Sequence, residues 1–478
     1  MNRNAAWRRP TKDCLQAAHE WPLPCPAFVV SGDSARDPRA RPKSMRVTDH
    51  RGRVPVALLA AGLLVLPATG QARGTTPDRA FRTPVAHGAA AAHTAVSSSR
   101  LVKGLARTWR RAGNSGAWIM DANTGRVLFR RKAGRPRILA SNSKVFTTST
   151  AVSRFGPDSH LATTVWSSDD VSDGISQGLY LKGMGDPTLS TSDLTTLAGR
   201  VRAAGVLTVL GPLFYDDSFL DHQTGIPEHG ISSERVGTLS ALTLDGGGFS
   251  DPARTAAQRF EDALRHAGVS IGNGVTNAQV PVGAVQVSEE DSPTLASLIR
   301  STNVPSNNFM AEMLLKDVGG AFGGSGSTAS GIGVVQSFAS THGASFSGEN
   351  GSGLTRLNRA SPASVGRLLN SMLKVDDNAS ADQKAAEVRL RDAFVGSLAV
   401  AGRSGTLANR MRGGAAAGRC HAKTGTLDSV SALSGYCFKG PNDQDHAMVF
   451  SLLMNSVDVN RAHVIQDRMA ALIARFTP

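Results

Sequence analysis

The chain has 478 residues, of which 41% are hydrophobic and 19% charged, so it is long enough for two globular units with buried cores. Its formal net charge of +14 is concentrated near the N-terminus: residues 73–137 hold 14 lysines and arginines against 2 acidic residues, whereas residues 138–478 hold 27 against 31. No nucleic-acid-binding motif accompanies this charge, which argues against RNA or DNA as a partner. We expect a basic leader and linker, with or without attraction to an anionic envelope surface.

An apolar run near the N-terminus predicts export. Residues 54–66 are predominantly apolar, three arginines precede them within eight positions, and small residues follow at 70–72. The run is too short to span a bilayer comfortably but suits the core of a secretory signal. We therefore expect an extracytoplasmic protein. Retention through an uncleaved segment is the alternative, and it would be the only route to membrane contact.

Elements downstream of this segment predict one domain interrupted by another. Two apolar runs at 117–121 and 125–130 flank turn residues and predict a β-hairpin, and a helical pattern opens at Ser141. From about 160 to 290 the chain is rich in strands and turns, after which helices and strands alternate to the end. The expected organisation is an upstream extension and signal peptide over 1–72 (signal about 45–72), a linker over 73–98, a domain in two pieces over 99–160 and 290–478, and an inserted strand-rich domain over 161–289.

Ser141-Asn142-Ser143-Lys144 places a hydroxyl and an amine one helical turn apart, on nearly the same helix face. The positive end of the helix dipole and a second lysine at 423 would disfavour a charged Lys144, which suits it as a general base for Ser141. The alternative for an isolated S-x-x-K string is a capping serine with a solvent-facing lysine. A second copy, from Ser371 to Lys374, lies late in an amphipathic helix, and we interpret it as structural.

A second string, Ser306-Asn307-Asn308, precedes a helical pattern. A serine and an asparagine two positions apart in a turn can both point into a cleft, where the Ser306 hydroxyl would relay a proton and the Asn308 carboxamide would orient Lys144. Either could instead cap a loop. Ser301-Thr302-Asn303 has the same pattern five positions earlier, so composition alone leaves two copies open.

Lys423-Thr424-Gly425-Thr426 lies on a predicted strand followed by a hairpin. Lys423 and the threonine hydroxyls would hold a terminal carboxylate, and Gly425 would let a substrate backbone approach the strand edge. The backbone N–H groups of Thr426 and Ser141 would form an oxyanion hole. The alternative is an edge-strand lysine beside a turn glycine, because three-residue strings recur by chance.

Two of the four cysteines, Cys420 and Cys437, flank this third string. A two-residue hairpin tip at Asp428-Ser429 would pair residue 427 with 430 and bring 420 opposite 437, within reach of a disulfide bond. An oxidising compartment would favour that bond, and two buried free thiols are the alternative.

Metal and nucleotide chemistry are not indicated. The twelve histidines form no H-E-x-x-H pair, two exported cysteines cannot form a zinc knuckle, and no G-x-x-x-x-G-K-[ST] string occurs. We therefore expect no metal and no cofactor.

Together the three strings form the catalytic set of serine acyltransferases that react with penicillin. From about Leu101 to the C-terminus the chain resembles the D-alanyl-D-alanine carboxypeptidase/endopeptidase family, the low-molecular-mass class C penicillin-binding proteins. The resemblance favours Ser306 over Ser301. Further strings that carry it are Gly183-Met184-Gly185-Asp186-Pro187-Thr188-Leu189, Asp216-Asp217-Ser218-Phe219, Phe309-Met310-Ala311-Glu312, Gly351-Ser352-Gly353-Leu354-Thr355-Arg356 and Ala399-Val400-Ala401-Gly402-Arg403-Ser404-Gly405-Thr406-Leu407.

The resemblance implies an α/β (α+β) fold, with an antiparallel sheet covered by helices, a helical subdomain and an insertion between the first two strings. It implies a serine carboxypeptidase whose substrate is a peptidoglycan stem peptide, with endopeptidase activity on the same site and β-lactams as inhibitors. A serine β-lactamase is the first alternative, although the long insertion argues against class A. A wall-binding protein with a vestigial site is the second. The oligomeric state does not follow from the sequence.

Two departures from the family pattern stand out. Ser141 and Ser306 are 165 positions apart, which is shorter than expected for members with two inserted domains. Asn350 stands where the family usually has aspartate before Gly-Ser-Gly. We expect the first departure to reduce the insertion and the second to alter only a loop contact.

Overall fold

A computed structural model describes residues 98–225, 236–272, 274–440 and 443–476. The predicted extension, signal peptide and most of the linker therefore lie outside the described residues. Within these ranges no helix is long and apolar enough to cross a membrane.

The helices begin with one that follows directly on the predicted linker, and several start with a side-chain cap. Ser190 and Ser380 each form a reciprocal capping box with the residue three positions on. The helices are α1 (Ser98–Trp109), α2 (Ser143–Phe155), α3 (Thr191–Ala203), α4 (Pro252–His266), α5 (Leu295–Asn303), α6 (Asn308–Phe322), α7 (Thr328–Thr341), α8 (Pro362–Ser371), α9 (Ala381–Gly396) and α10 (Val459–Arg475).

The strands form four sheets, of which the two largest have six and five strands. The strands are β1 (Gly116–Asp121), β2 (Val127–Arg131), β3 (Arg137–Ile138), β4 (Ala162–Ser167), β5 (Ile175–Ser176), β6 (Leu179–Gly183), β7 (Thr208–Val209), β8 (Leu213–Asp216), β9 (Ser270–Ile271), β10 (Val275–Asn277), β11 (Val285–Asp291), β12 (Phe346–Ser347), β13 (Arg359–Ala360), β14 (Ala399–Val400), β15 (Cys420–Leu427), β16 (Val430–Gly440) and β17 (Asp443–Asn455).

The six-stranded sheet joins the two ends of the described chain. Its order is β14-β15-β16-β17-β1-β2, and every neighbouring pair is antiparallel. The predicted hairpin at 117–130 is confirmed as β1 and β2. Because side chains alternate along a strand, Ile119 packs with α1 and α10, whereas Trp118 packs against α8 at Gly366. The sheet is therefore covered by helices on both faces, as expected.

The helix that follows the first string is buried on all sides. Ten consecutive residues of α2, from Ser143 to Val152, are buried, and Val145, Phe146 and Val152 belong to the largest apolar core. Helices α5, α6, α7 and α9 surround α2. A helix buried on every side is held rigidly, and it presents its first turn to the six-stranded sheet.

A second sheet is built entirely from residues between 162 and 291. Its order is β10-β8-β6-β4-β11, and it packs with α3 and α4 over an apolar core of its own. The sequence predicted strands in this region but not the two helices. Leu194, Leu197 and Val201 repeat at helical spacing and face that core, so the periodicity was present but was obscured by the surrounding turns.

Most of the basic charge assigned to the linker belongs to the folded body. Of the 14 lysines and arginines in 73–137, 11 lie at position 98 or later. All but Arg137 are exposed on α1, β2 and their adjoining turns, and none of them forms an ion pair with another described residue. Much of the basic charge that was predicted for the leader and linker therefore forms an exposed basic surface on α1, β2 and the adjoining turns.

The predicted hairpin register around the third string is confirmed. Leu427 pairs with Val430, and Cys420 pairs with Cys437. The two cysteines form a disulfide bond, and both are buried. The alternative of two free thiols is therefore wrong.

Two carboxyl groups are buried close together, and one of them is on α6. Asp186 is buried and accepts hydrogen bonds from the backbone and hydroxyl of Thr188. Asp317 is fully buried, and neither of its oxygens has a hydrogen-bond partner among the described residues. Burial raises the pKa of Asp186 to about 6. Burial, with the Asp186 charge nearby, raises the pKa of Asp317 well above its ordinary value.

Replacing Asp317 with asparagine is expected to raise the free energy of unfolding by about 2 kcal/mol at neutral and alkaline pH. Below about pH 4 the carboxyl is largely protonated in both states; because folding raises its pKa, it destabilises the fold as the pH rises from there through its folded pKa. The gain should therefore be small at pH 4 and largest at pH 8, as measured by urea unfolding of both proteins. A gain independent of pH would contradict this explanation.

Candidate active site

Ser141 lies in a short 3-10 turn, Ala140–Asn142, that leads directly into α2. The α-helix itself begins at Ser143, so the sequence placed its start two residues too early. Ala140 has a left-handed φ of 48°, which turns the chain sharply just before the serine. Two contacts hold this turn: Asn142 Nδ2 donates to the Lys423 carbonyl at 2.9 Å, and Asn455 on β17 exchanges two hydrogen bonds with the Ile138 backbone.

Lys144 lies at the centre of the site and is fully buried. Its Nζ is within hydrogen-bond distance of three oxygens: Ser141 Oγ at 3.1 Å, Asn308 Oδ1 at 2.6 Å and the Ser352 carbonyl at 2.8 Å. The Asn308 and Ser352 oxygens can only accept hydrogen bonds. When Lys144 is neutral, its two N–H groups are directed to those oxygens and its lone pair is directed to the Ser141 hydroxyl. The predicted pair is thus brought together in the geometry of a base and a nucleophile.

The second string forms the start of α6. Asn307 caps the helix by accepting a hydrogen bond from Met310 N–H, and Asn308 is its first residue. Ser306 lies in the turn before it, with a left-handed φ of 66°. The structure describes no hydrogen bond from the Ser306 hydroxyl to another described residue. Asn308 therefore contacts Lys144 directly, whereas the role of Ser306 stays a prediction.

The duplicate strings lie elsewhere and have structural partners. Asn303 is buried on α5, where its Nδ2 donates to Thr148 and Ser397. Ser371 is the last residue of α8, and its hydroxyl donates to the Leu368 carbonyl. Lys374 is exposed. Neither duplicate offers a serine beside a buried lysine.

The third string occupies the middle of β15 and faces the turn that bears Ser141. Lys423 is fully buried, and its Nζ donates to the Thr424 carbonyl at 3.1 Å. Burial, with the Lys144 charge nearby, lowers the pKa of Lys423 well below its ordinary value. Thr424 Oγ1 donates to Thr406 Oγ1, and Thr426 is exposed. Strand β14 pairs only with His421 and Ala422, so beyond that point β15 has no strand partner on this edge among the described residues.

Position 425 requires glycine for a structural reason that the sequence did not reveal. A Cβ atom there would lie 2.5 Å from the Leu139 carbonyl oxygen and 3.0 Å from the Asn142 backbone nitrogen. Such distances are too short for any side chain. Gly425 therefore lets the turn that bears Ser141 pack closely against β15, and its predicted contact with a substrate backbone stays a prediction.

Four further residues shape the site but were not predicted as site residues: Asn142, Glu312, Ser352 and Thr406. Glu312 and Ser352 stand within strings already recognised, but their contact depends on how a distant turn folds against α6. Asn350 belongs to that turn: its Oδ1 accepts from Gly353 N–H, and its carbonyl accepts from Asn358 Nδ2. Its described hydrogen bonds lie within residues 350–358.

The geometry around Ser141 fits one class of protein. A partly exposed serine, a buried lysine beside it and an open strand edge with a second buried lysine are the parts that a serine acyl-transfer site requires. No cluster of three metal-ligating side chains occurs among the described residues.

Comparison with known proteins identifies the family. The model of the D-Ala-D-Ala carboxypeptidase 3 (S13) family matches residues 105–250 and 240–476, and the chain belongs to this family of serine-type carboxypeptidases. It is 29% identical over 454 residues to the D-alanyl-D-alanine carboxypeptidase of Actinomadura sp. (strain R39), covering 76% of this chain and 81% of that one. It is 28% identical over 472 residues to the carboxypeptidase DacB of Mycolicibacterium smegmatis, covering 91% and 98%.

A solved structure has the same fold. Penicillin binding protein 4 from Haemophilus influenzae superposes with a TM-score of 0.63 at 18% identity, covering 78% of this chain and 98% of that one. The predicted family and fold class are both confirmed.

Proposed function

We propose that this chain is an exported D-Ala-D-Ala carboxypeptidase that acts on peptidoglycan stem peptides through an acyl-enzyme on Ser141. The observation that carries the proposal is the position of Lys144, whose buried amine lies 3.1 Å from Ser141 Oγ and is oriented by two carbonyl oxygens. Membership of the carboxypeptidase family supports the reaction class.

The first half of the reaction acylates Ser141. Its oxygen bonds to the carbonyl carbon between the two D-alanines, and its proton passes to the lone pair of Lys144. The N–H groups of Ser141 and Thr426 stabilise the oxyanion. When the C–N bond breaks, the leaving amine takes a proton through the Ser306 hydroxyl, and the terminal D-alanine departs. Water then hydrolyses the ester and restores Ser141.

The terminal carboxylate of the substrate binds beside β15. Lys423 and Thr426 supply donors there, Thr424 lies between them with its hydroxyl bonded to Thr406, and the unpaired edge of β15 offers backbone groups to an extended peptide. Penicillin would follow the same first half and stop at the ester, because its acyl-enzyme hydrolyses slowly. The same site would accept cross-bridge peptides as an endopeptidase.

Export is supported by the disulfide bond between Cys420 and Cys437, since such bonds persist in oxidising compartments. We also propose that residues 161–289 fold as an inserted domain. The separate apolar core of this region, and a five-stranded sheet drawn only from its own strands, support that division.

The proposal is tested with a synthetic stem pentapeptide and a fluorescent penicillin. We expect release of one D-alanine per peptide and persistent labelling that approaches one penicillin per chain. Continuous turnover of penicillin without persistent label would indicate a β-lactamase instead. Neither reaction, in folded protein, would indicate a wall-binding protein with a vestigial site.

A further inference from the structure

A buried carboxylate lies directly behind the catalytic lysine. Glu312 is on α6, one helical turn after Asn308, and it is fully buried. Its Oε2 accepts the Gly351 N–H at 2.9 Å, and its Oε1 accepts the Ser352 N–H at 2.8 Å. Neither of the two reaction steps above uses this group, and burying a carboxylate is costly unless it is well paired. A role for Glu312 in holding the site would explain why a carboxylate is buried there.

The turn that Glu312 holds is the same turn that holds Lys144. The Ser352 carbonyl accepts from Lys144 Nζ at 2.8 Å, and the Gly351 carbonyl accepts from Thr147 Oγ1 at 2.9 Å. The N–H groups of residues 351 and 352 thus bind α6, while their carbonyl groups bind α2. One peptide turn connects the helix of the first string to the helix of the second.

The Ser352 carbonyl determines where the lone pair of Lys144 is directed. With Asn308 Oδ1 it accepts the two N–H groups of the neutral amine, which leaves the lone pair for Ser141. If this carbonyl rotated away, one N–H would be free to turn to Ser141 Oγ, and the lone pair would turn elsewhere. A nucleophile without a correctly directed base reacts slowly.

We propose that Glu312 is a positioning residue for acylation, which acts by fixing the 351–352 peptide so that the Ser352 carbonyl stays on Lys144. This inference rests on the proposed function. Because both Glu312 oxygens accept backbone N–H groups, the bonding pattern fits the ionised carboxylate. Among the described residues, Lys144 is the charged group that interacts with Glu312, and Lys423 also acts on Lys144. Burial raises the pKa of Glu312, whereas the Ser352 and Gly351 hydrogen bonds and Lys144 lower it.

The test compares Glu312→Gln and Glu312→Asp with the wild type in acylation by fluorescent penicillin from pH 5 to pH 10. Glutamine has one acceptor oxygen and must turn an NH₂ group towards the other backbone N–H. Its plateau rate should fall about 100-fold, as misplacement of a catalytic group by about 1 Å does. Because the negative charge is lost, the acid limb of its rate profile should also move about one pH unit lower. Aspartate keeps the charge but is too short, so its rate should fall at least tenfold with the acid limb unchanged.

Asp317→Asn is the matched control. It removes another fully buried carboxyl from α6 that has no described bond to the 351–352 turn, and its rate and acid limb should match the wild type. A plateau rate within twofold of wild type in Glu312→Asp or in folded Glu312→Gln would overturn the inference. So would an equal fall and shift in Asp317→Asn. If Glu312→Gln does not fold, Glu312→Asp decides the question alone.

The proposed function and this inference fail in different ways. If the wild type takes up no penicillin, the proposed function fails. If the wild type is labelled on Ser141 while the Glu312 variants react at its rate, only the positioning role fails.

Discussion

Replacing Ser141 with alanine is expected to abolish covalent labelling by fluorescent penicillin and release of D-alanine from a stem pentapeptide. The oxygen that would carry the acyl group is absent in this variant, and it is the Ser141 hydroxyl that lies 3.1 Å from the buried Lys144 amine. The loss should exceed about 10⁴-fold, close to the limit set by residual binding effects. Because Ser141 is partly exposed and makes its described side-chain hydrogen bond only to Lys144, the melting temperature should change little.

Ser371→Ala is the matched control for this experiment. It alters the duplicate string, whose hydroxyl bonds to the Leu368 carbonyl at the end of α8, and it should be labelled like the wild type. Equal labelling of Ser141→Ala and the wild type would refute the assignment of the nucleophile. Loss of labelling in Ser371→Ala alone would transfer that assignment to Ser371.

Replacing Lys144 with methionine is expected to slow acylation by about 10³-fold or more, near the upper range for removal of a general base. Methionine has a similar length and fills the buried space, but it offers no lone pair that can take the Ser141 proton. It also leaves the Asn308 and Ser352 carbonyl oxygens without their partner, so a loss of about 2 kcal/mol in stability should accompany the change. Time courses of labelling and urea unfolding measure the two effects separately.

Lys374→Met tests whether the lysine effect is specific. Lys374 follows the duplicate serine by three positions, but it is exposed and remote from the described site contacts. Its acylation rate should equal that of the wild type. A rate in Lys144→Met within tenfold of wild type would exclude Lys144 as the general base.

Local sequence was sufficient for the parts of the site that are close together along the chain. The three-position spacing of Ser141 and Lys144, the turn before Asn308 and the hairpin register that pairs Cys420 with Cys437 each depend on a few neighbouring residues. Helical and strand periodicities determine such features directly. The start of α2 was misplaced by two residues because a left-handed Ala140 forms a 3-10 turn first.

Contacts between distant segments could not be predicted in the same way. Glu312 and Ser352 are both visible in the sequence. Only the folded structure shows that the Ser352 N–H, 40 residues away, donates a hydrogen bond to Glu312 on α6. The backbone atoms packed against Gly425 likewise come from a distant segment, at Leu139 and Asn142. The basic charge of α1 and β2 was predicted to belong to a leader and linker because charge counts carry no information about burial.

The pairing of β1 with β17 determines when the site can form as the chain is synthesised. Gly116 near the start of the described chain pairs with Leu453 near its end, and Asn455 on the same late strand binds Ile138, three residues before the nucleophile. A growing chain therefore carries Ser141 and Lys144 long before β17 is available to hold their turn. Contacts this far apart in sequence form slowly. The proposed reaction with penicillin therefore depends on β17, and we expect a chain truncated before that strand to remain unlabelled although all three strings are present.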